Sequence, residues 1–390
     1  MNKGPLKICV VTGSRAEYGL FYPLLRLLQK DRAVELQVLV TGMHLSPEFG
    51  LTWKQVVADG FVINEKVEML LSSDTDAAIT KSTGIGLIGM ADAFQRLRPD
   101  WIVVLGDRFE TFAAAIAAHL AKIPIAHLHG GELTEGATDD AMRHAITKMS
   151  YLHFTSAETY RKRVIQLGEA PGRVFTTGAI GLDNAKQLKL LTKNQLSKEL
   201  DFSLAGNILL VTYHPVTLEE NTAAIQMKNL LKALDAFGEY TIIFTLPNAD
   251  ASGRVIMTLI NEYVHKNTGR SKAFSSLGHL RYLSLLQYVS AVVGNSSSGI
   301  IEAPFFAVPT VNIGDRQTGR IRAASVIDTA TGTGSIVEGI KKAVSPAFAA
   351  VCKKSVNPYG KGDTATQIVR ILKKQGRLTS VKKTFFDLPS

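Results

Sequence analysis

The sequence predicts an α/β protein made of two Rossmann-like, doubly wound domains. Three observations lead there. Short, β-branched, nearly continuous apolar runs alternate with stretches of helical periodicity, the pattern of parallel strands buried on both faces. The alternation lapses in a polar, Lys-rich stretch at 182–200 and then restarts. At 390 residues the chain is long for one core and natural for two.

Residues 7–12 (Lys-Ile-Cys-Val-Val-Thr) read as the first buried strand. A Gly13–Gly19 loop follows, then a helix patterned by Leu20, Leu24, Leu27 and Leu28, with Pro23 tolerated near its start. The loop is not a GxGxxG fingerprint, so no dinucleotide site is expected. Residues 35–40 form the second strand, ending at Thr41-Gly-Met-His44. A helix over 52–59, a short strand near 63–67 and a helix over 76–97, closed by Pro99, come next. Residues 101–105 are a strand ending at Gly106-Asp107-Arg108. A small-residue helix over 113–120 leads to a strand at 123–126 and then to His127-Leu-His-Gly-Gly-Glu132. Strands follow at 151–155 and 174–178, and Ser156 has the position of a helix N-cap. The alternation makes a doubly wound parallel sheet with right-handed crossovers.

The second half repeats the scheme. A strand at 207–212 ends in Tyr213-His214-Pro215, and one at 240–245 ends in Leu246-Pro-Asn248. Helices are expected over 222–234, 255–263 and 283–288. Ala291-Val-Val293 runs into Gly294-Asn-Ser-Ser-Ser-Gly299, followed by a helix over 300–306. A strand at 309–313 ends in Gly314-Asp-Arg316-Gln317, and the last helix covers 363–375. The expected domains are 1–186, joined by the C-terminal segment 363–390, and 187–362. Their strand ends would face each other across a cleft, the usual place for a ligand between domains.

Composition narrows the function. The net charge is +10, but residues 341–390 alone hold 11 Lys/Arg against 2 Asp/Glu. That tail has no interleaved aromatics to stack bases and no nucleic-acid motif, so it reads as a solvated helix face and no nucleic-acid partner is expected. Cys9 and Cys352 form neither a disulfide framework nor a metal pattern, which fits a reducing cytoplasm. The start is too short and polar for a signal peptide, and no apolar run reaches the ~20 residues of a bilayer span.

The polar residues gather at strand ends. The small-residue loop at 294–299 sits between a strand and a helix start, where backbone N–H groups and Ser296 and Ser297 hydroxyls suit a phosphate. A plain turn with a serine N-cap is the competing reading. Arg15, Asp107, Arg108, His129, Glu132 and Asp139 lie at carboxyl ends of the first sheet, where open α/β sheets bind ligands. Carboxylates and histidines so gathered suit acid–base chemistry. Caps, surface salt bridges and an exposed Arg15 are the bland alternative. His127, His129, Glu132 and Asp139 could also ligate a metal, but their spacing matches no familiar metal motif.

Taken together, Thr12-Gly-Ser-Arg-Ala-Glu-Tyr18, Thr41-Gly-Met-His44, Gly106-Asp-Arg108 and His129-Gly-Gly-Glu132 resemble the hydrolysing UDP-N-acetylglucosamine 2-epimerases. Arg143-His-Ala-Ile-Thr-Lys148, Arg161-Lys-Arg-Val-Ile-Gln-Leu-Gly168, His214-Pro-Val-Thr217, Gly294-Asn-Ser-Ser-Ser-Gly299 and Gly314-Asp-Arg-Gln317 extend the match. It is closest to the bacterial enzymes that feed sialic acid synthesis. The resemblance implies a GT-B-like fold and conversion of UDP-N-acetylglucosamine and water to UDP and N-acetylmannosamine, through a 2-acetamidoglucal. It implies no cofactor and no metal, and a homo-oligomer, dimer or tetramer, while the cysteine usage already points to a cytoplasmic location. It assigns acid–base work to Asp107, Glu132 and Asp139, with His129 as rival to Glu132, because many relatives carry glutamate at the position of His129. It assigns the UDP moiety to Arg15, Arg108, His214, Asn248, Ser296, Ser297 and Arg316, with Glu302 on the ribose. The same reaction on UDP-N,N′-diacetylbacillosamine is the close alternative. A GT-B glycosyltransferase is the distant one, disfavoured because an acceptor site needs fewer carboxylates.

Overall fold

Leu6–Thr12 (β1) is a strand because both its faces have somewhere dry to go. Ile8 and Val10 enter one apolar cluster with Trp101, Val103 and Leu105, while Cys9 and Val11 enter another with Ile102 and Val104. A strand with helices on both faces has no polar face to show, hence the continuous apolar run. Each such large apolar side chain contributes roughly 1.5–3 kcal/mol by its burial.

The computed structural model describes residues 4–73, 75–133, 138–215, 222–247 and 251–389. The chain divides into two units, Met1–Asn184 with Tyr359–Ser390, and Ala185–Pro358.

In the first unit β1 is followed by α1 (Arg15–Lys30), β2 (Val34–Thr41), α2 (Trp53–Ala58), β3 (Glu65–Val67) and α3 (Asp76–Leu97). Then come β4 (Trp101–Leu105), α4 (Phe109–Leu120), β5 (Ile125–Leu128), α5 (Thr138–Met149), β6 (Leu152–Thr155), α6 (Glu158–Gln166) and β7 (Val174–Thr176). Helices α7 (Gly181–Gln187) and α8 (Lys193–Leu200) lead into the second unit. There β8 (Ile208–Thr212), α9 (Ala223–Leu234), β9 (Thr241–Thr245), α10 (Ala251–Lys266), β10 (Ser271–Phe274), α11 (Gly278–Leu286) and β11 (Ala291–Gly294) follow in order. The unit continues with α12 (Ser297–Ile301), β12 (Thr310–Ile313), β13 (Val326–Thr329), α13 (Thr333–Ala343) and α14 (Pro346–Lys354). The last helix, α15 (Thr364–Gln375), belongs to the first unit.

Both sheets are parallel throughout. Their strand orders are β3-β2-β1-β4-β5-β6-β7 and β10-β9-β8-β11-β12-β13. Each order reverses once, between β1 and β4 in one unit and between β8 and β11 in the other. At such a switch point the flanking loops diverge and leave a crevice beyond the carboxyl ends of the strands. Every polar loop singled out in the sequence follows a strand of one of these sheets.

The returning helix α15 is fastened by Asp183. Its two carboxylate oxygens accept the N–H groups of Thr364 and Ala365 at 3.0 and 2.8 Å, satisfying donors that a helix start leaves open. Ala365, Ile368 and Leu372 then pack in the same cluster as Phe21 and Leu24 of α1.

The structure differs from the sequence expectation in instructive places. Strands β10 and β13 are not foreseen because Ser-Lys-Ala-Phe and Val-Ile-Asp-Thr, at sheet edges, carry no long apolar run, and each has one buried residue of its four. Ser156 is not an N-cap; Ala157 holds that place, and Ser156 is turned to another purpose described below. The helix expected over 300–306 begins earlier, at Ser297, and tightens into a 3-10 turn at Ala303–Phe306, where Pro304 stands in the first turn. No described helix is long and apolar enough to cross a membrane.

Candidate active site

Four of the candidate acid–base residues converge at the carboxyl edge of the first sheet. Gly106, at φ +76°, turns the chain out of β4 and presents Asp107. The Asp107 carboxylate is paired with the Arg143 guanidinium of α5. The same arginine donates from Nη1 to the main-chain oxygen of Glu132 at 2.7 Å, so one cation ties the β4 loop to the β5 loop. Asp140 stands 3.7 Å from Arg143 and 3.3 Å from His144.

Glu132 is buried, and its Oε1 receives two donors: Ser156 Oγ at 2.6 Å and His129 Nδ1 at 2.9 Å. On the far side of the ring, His129 Nε2 accepts the Ile180 N–H at 3.4 Å. That network puts the ring proton on Nδ1, facing the carboxylate. His129 adopts φ +66°, a left-handed conformation that costs a non-glycine residue about 1–2 kcal/mol and that clusters at functional sites. Burial pushes the Asp107 carboxyl up; the Arg143 charge opposes this, and Asp139 and Glu132 push it up further. A carboxyl so poised exchanges a proton more readily near neutral pH than a free aspartate does.

His127, two residues away, has another task. Its Nε2 donates to the Gly106 carbonyl at 2.8 Å and its Nδ1 faces the Thr147 hydroxyl at 3.2 Å. Burial drives its pKa down to about 3, so it is a neutral strut beneath the β4 turn. Among the described residues no three His, Cys, Asp or Glu side chains are grouped to hold a metal ion.

Beside this cluster, Arg15 opens α1 and is exposed. Arg108 is engaged by Glu110, with Nε to Oε2 at 3.1 Å and Nη2 to Oε1 at 2.8 Å. Glu17 accepts the Gly13 N–H at 2.7 Å, so the first loop of this unit is filled by its own carboxylate. Burial raises the Glu17 pKa to about 7, Arg108 working against this and Glu110 with it.

In the second unit the serine loop is locked from beneath. Gly294 has φ +138°, and a Cβ there would lie 1.9 Å from the Thr212 carbonyl oxygen, a distance only glycine avoids. Asn295 is fully buried; it accepts the His214 N–H at 2.7 Å and donates to the His214 carbonyl at 2.8 Å. Its own carbonyl accepts Arg316 Nη1 at 3.1 Å and Gln317 Nε2 at 2.9 Å. His214, Ser296, Ser297 and Arg316 are thereby brought to one edge of this sheet, at its switch point. Ser296 caps α12, accepting the Ser298 N–H at 3.3 Å, and Glu302 follows the last residue of that helix. Asn248 lies outside the described residues.

The sequence profile of the UDP-N-acetylglucosamine 2-epimerase family matches residues 26–373. The chain belongs to this family. It is 45% identical to GDP/UDP-N,N'-diacetylbacillosamine 2-epimerase (hydrolyzing) of Campylobacter jejuni, over 83% of this chain and 84% of the relative. It is 40% identical to polysialic acid biosynthesis protein P7 of Escherichia coli, over 98% of each. A crystal structure of UDP-GlcNAc 2-epimerase from Neisseria meningitidis, bound to UDP-GlcNAc, matches with a TM-score of 0.82 over 95% of this chain and 100% of that one. At 20% identity that likeness speaks for the fold.

Within the epimerase fold, then, Asp107, His129, Glu132 and Arg143 form one bonded set, and Asp139, near enough to act on the Asp107 charge, stands at the start of α5. Sequence reasoning passed over Ser156, Glu17, Glu110 and Asn295 as site residues. Ser156 and Asn295 bond residues brought near by the fold, Glu110 and Glu17 bond close neighbours in the chain, and only Glu17 and Asn295 carried a signal, their places inside the Thr12–Tyr18 and serine-loop motifs.

Proposed function

We propose that this member of the epimerase family is a hydrolysing UDP-2-acetamido-sugar 2-epimerase, acting on UDP-N-acetylglucosamine and water to give UDP and N-acetylmannosamine. The observation that carries the reading is the bonded set of Asp107, Arg143, Glu132 and His129 at the carboxyl edge of the first sheet, beside its switch point. The C2 hydrogen of the sugar is weakly acidic. One of these groups removes it as the C1–O bond to UDP breaks, leaving a 2-acetamidoglucal. Water then adds at C1 while a proton returns to C2 from the opposite face. Acid–base groups on both sides of a sugar ring are what such a sequence needs, and Asp107, Asp139 and the Glu132–His129 pair supply them. The leaving diphosphate is balanced by Arg15, Arg108, Arg316, His214, Ser296 and Ser297, with Asn248 on the nucleotide and Glu302 on the ribose.

The 45% identity to an enzyme named for N,N'-diacetylbacillosamine favours a second substrate reading: the same chemistry on UDP-N,N'-diacetylbacillosamine. Incubating the purified chain with both UDP-sugars together separates the two by which free sugar accumulates beside UDP. Product formation only after a sugar acceptor is added would replace both with a glycosyltransferase.

A further inference from the structure

Glu110, in the first turn of α4, is fully buried among loops at the carboxyl edge of the first sheet. The backbone clears a space for it. Gly42, at φ +55°, would place a Cβ 2.7 Å from Glu110 Cγ, and a Cβ on Gly13 would lie 3.1 Å from Glu110 Cβ. Two glycines from two other loops therefore border one carboxylate side chain, whose contact outward is Arg108.

An arginine has two edges that can grip an oxyanion with paired hydrogen bonds. Glu110 occupies the Nε–Nη2 edge, and Met43 Sδ lies 3.6 Å from Nη2. Nη1 bonds to no described residue, and the Arg108 side chain is 33% exposed. The buried end of the fork is held; the outer end is presented.

We infer that Glu110 is a positioning residue: it fixes the guanidinium of Arg108 so that its Nη1 edge meets an oxygen of the diphosphate leaving group. The inference rests on the reaction proposed above. Because Glu110 offsets the charge of Arg108, the arginine supplies direction more than net positive potential. Direction matters where charge builds on a departing oxygen, since a donor must already stand where that charge will be. A freely rotating arginine would attract the same diphosphate without fixing its oxygen.

The test compares the native chain with Glu110→Gln, Arg108→Gln and the double variant, reading kcat/KM for UDP release and the thermal midpoint of each. Glu110→Gln keeps the side-chain volume and is expected to lose on the order of 10²-fold in kcat/KM, the scale of a misplaced catalytic contact. Arg108→Gln is expected to lose at least as much and to melt earlier, having left a buried carboxylate without its cation. The double variant carries neither charge; it should regain the midpoint while its activity stays at the Arg108→Gln level. Activity returning together with stability would show a merely structural pair and overturn the inference. So would a Glu110→Gln rate within about twofold of native, or a double-variant loss equal to the product of the single losses. Should Glu110→Gln fail to fold, Glu110→Asp, which keeps the charge but withdraws it by one methylene, is expected to show the same loss, and a native rate there refutes the idea. If the native chain releases no UDP from either sugar, the reaction assignment fails instead. UDP titration then tests the positioning alone: weaker binding by Glu110→Gln sustains it and unchanged binding ends it.

Discussion

Asp107 and Glu132 show how far a residue's neighbours decide its use. Both were visible as acids at strand ends, but their pairing was not. Arg143 reaches across from α5 to hold Asp107 and the Glu132 main chain, and Ser156 arrives from the end of β6 to steady the Glu132 carboxylate. Sequence separation hides such bonds. The account predicts that Asp107→Asn and Glu132→Gln each cut turnover by at least 10²-fold while UDP affinity stays within a few-fold, measured by steady-state rates and titration. Near-native rates in either would move the acid–base role elsewhere. Glu17 offers a separate test at this scale. Folded Glu17 keeps its proton up to about pH 7, whereas the unfolded residue releases it near 4.5. The native state thus binds the extra proton between these values, and its stability falls as pH rises through that window. Glu17→Gln should gain on native protein by roughly 3 kcal/mol between pH 4.5 and pH 8, at about 1.4 kcal/mol per pKa unit. Denaturant midpoints that run parallel across that range would contradict it.

Among the elements, the interior strands of both sheets were legible because burial on two faces leaves a continuous apolar run. The edge strands β10 and β13 were not, since an edge needs no such run. Helix α12 starts earlier than apolar spacing alone predicts, because its start is set by the Ser296 cap. The serine loop owes its shape to what lies beneath it. Asn295 makes two hydrogen bonds to the His214 backbone, so the turns after β8 and β11 move as one piece. Asn295→Ala should cost about 2–3 kcal/mol of the second unit's stability, from buried backbone groups left unpaired, and should weaken UDP binding without altering the pH profile of turnover. Thermal melts and UDP titration read both effects, and unchanged UDP affinity would detach the loop from the nucleotide.

For the whole molecule, the basic C-terminal tail has a role that composition did not reveal. Composition alone predicts a solvated face, yet several of its cations have fixed partners in the first unit. Arg377 bonds Asp100, and Lys383 Nζ lies 2.8 Å from both oxygens of the buried Glu169, which His153 and Lys148 also contact. Burial alone would raise the Glu169 pKa; hydrogen bonds from His153, Lys148 and Lys383 outweigh it and hold the group at about 2. That stabilisation is present above the unfolded value of 4.5 and fades as pH falls toward 2. Ending the chain at Gly376 should therefore lower the unfolding midpoint at neutral pH by roughly 5–10 °C. The difference should shrink in acid, and a midpoint that does not move would reduce the tail to decoration.

The central claim is that the first unit takes a proton from C2 of a nucleotide sugar as UDP departs. Running the reaction in heavy water and reading the released sugar by proton NMR tests it directly. The account predicts one deuterium at C2 in every product molecule, with the configuration there inverted. A product that keeps its original C2 hydrogen would contradict it.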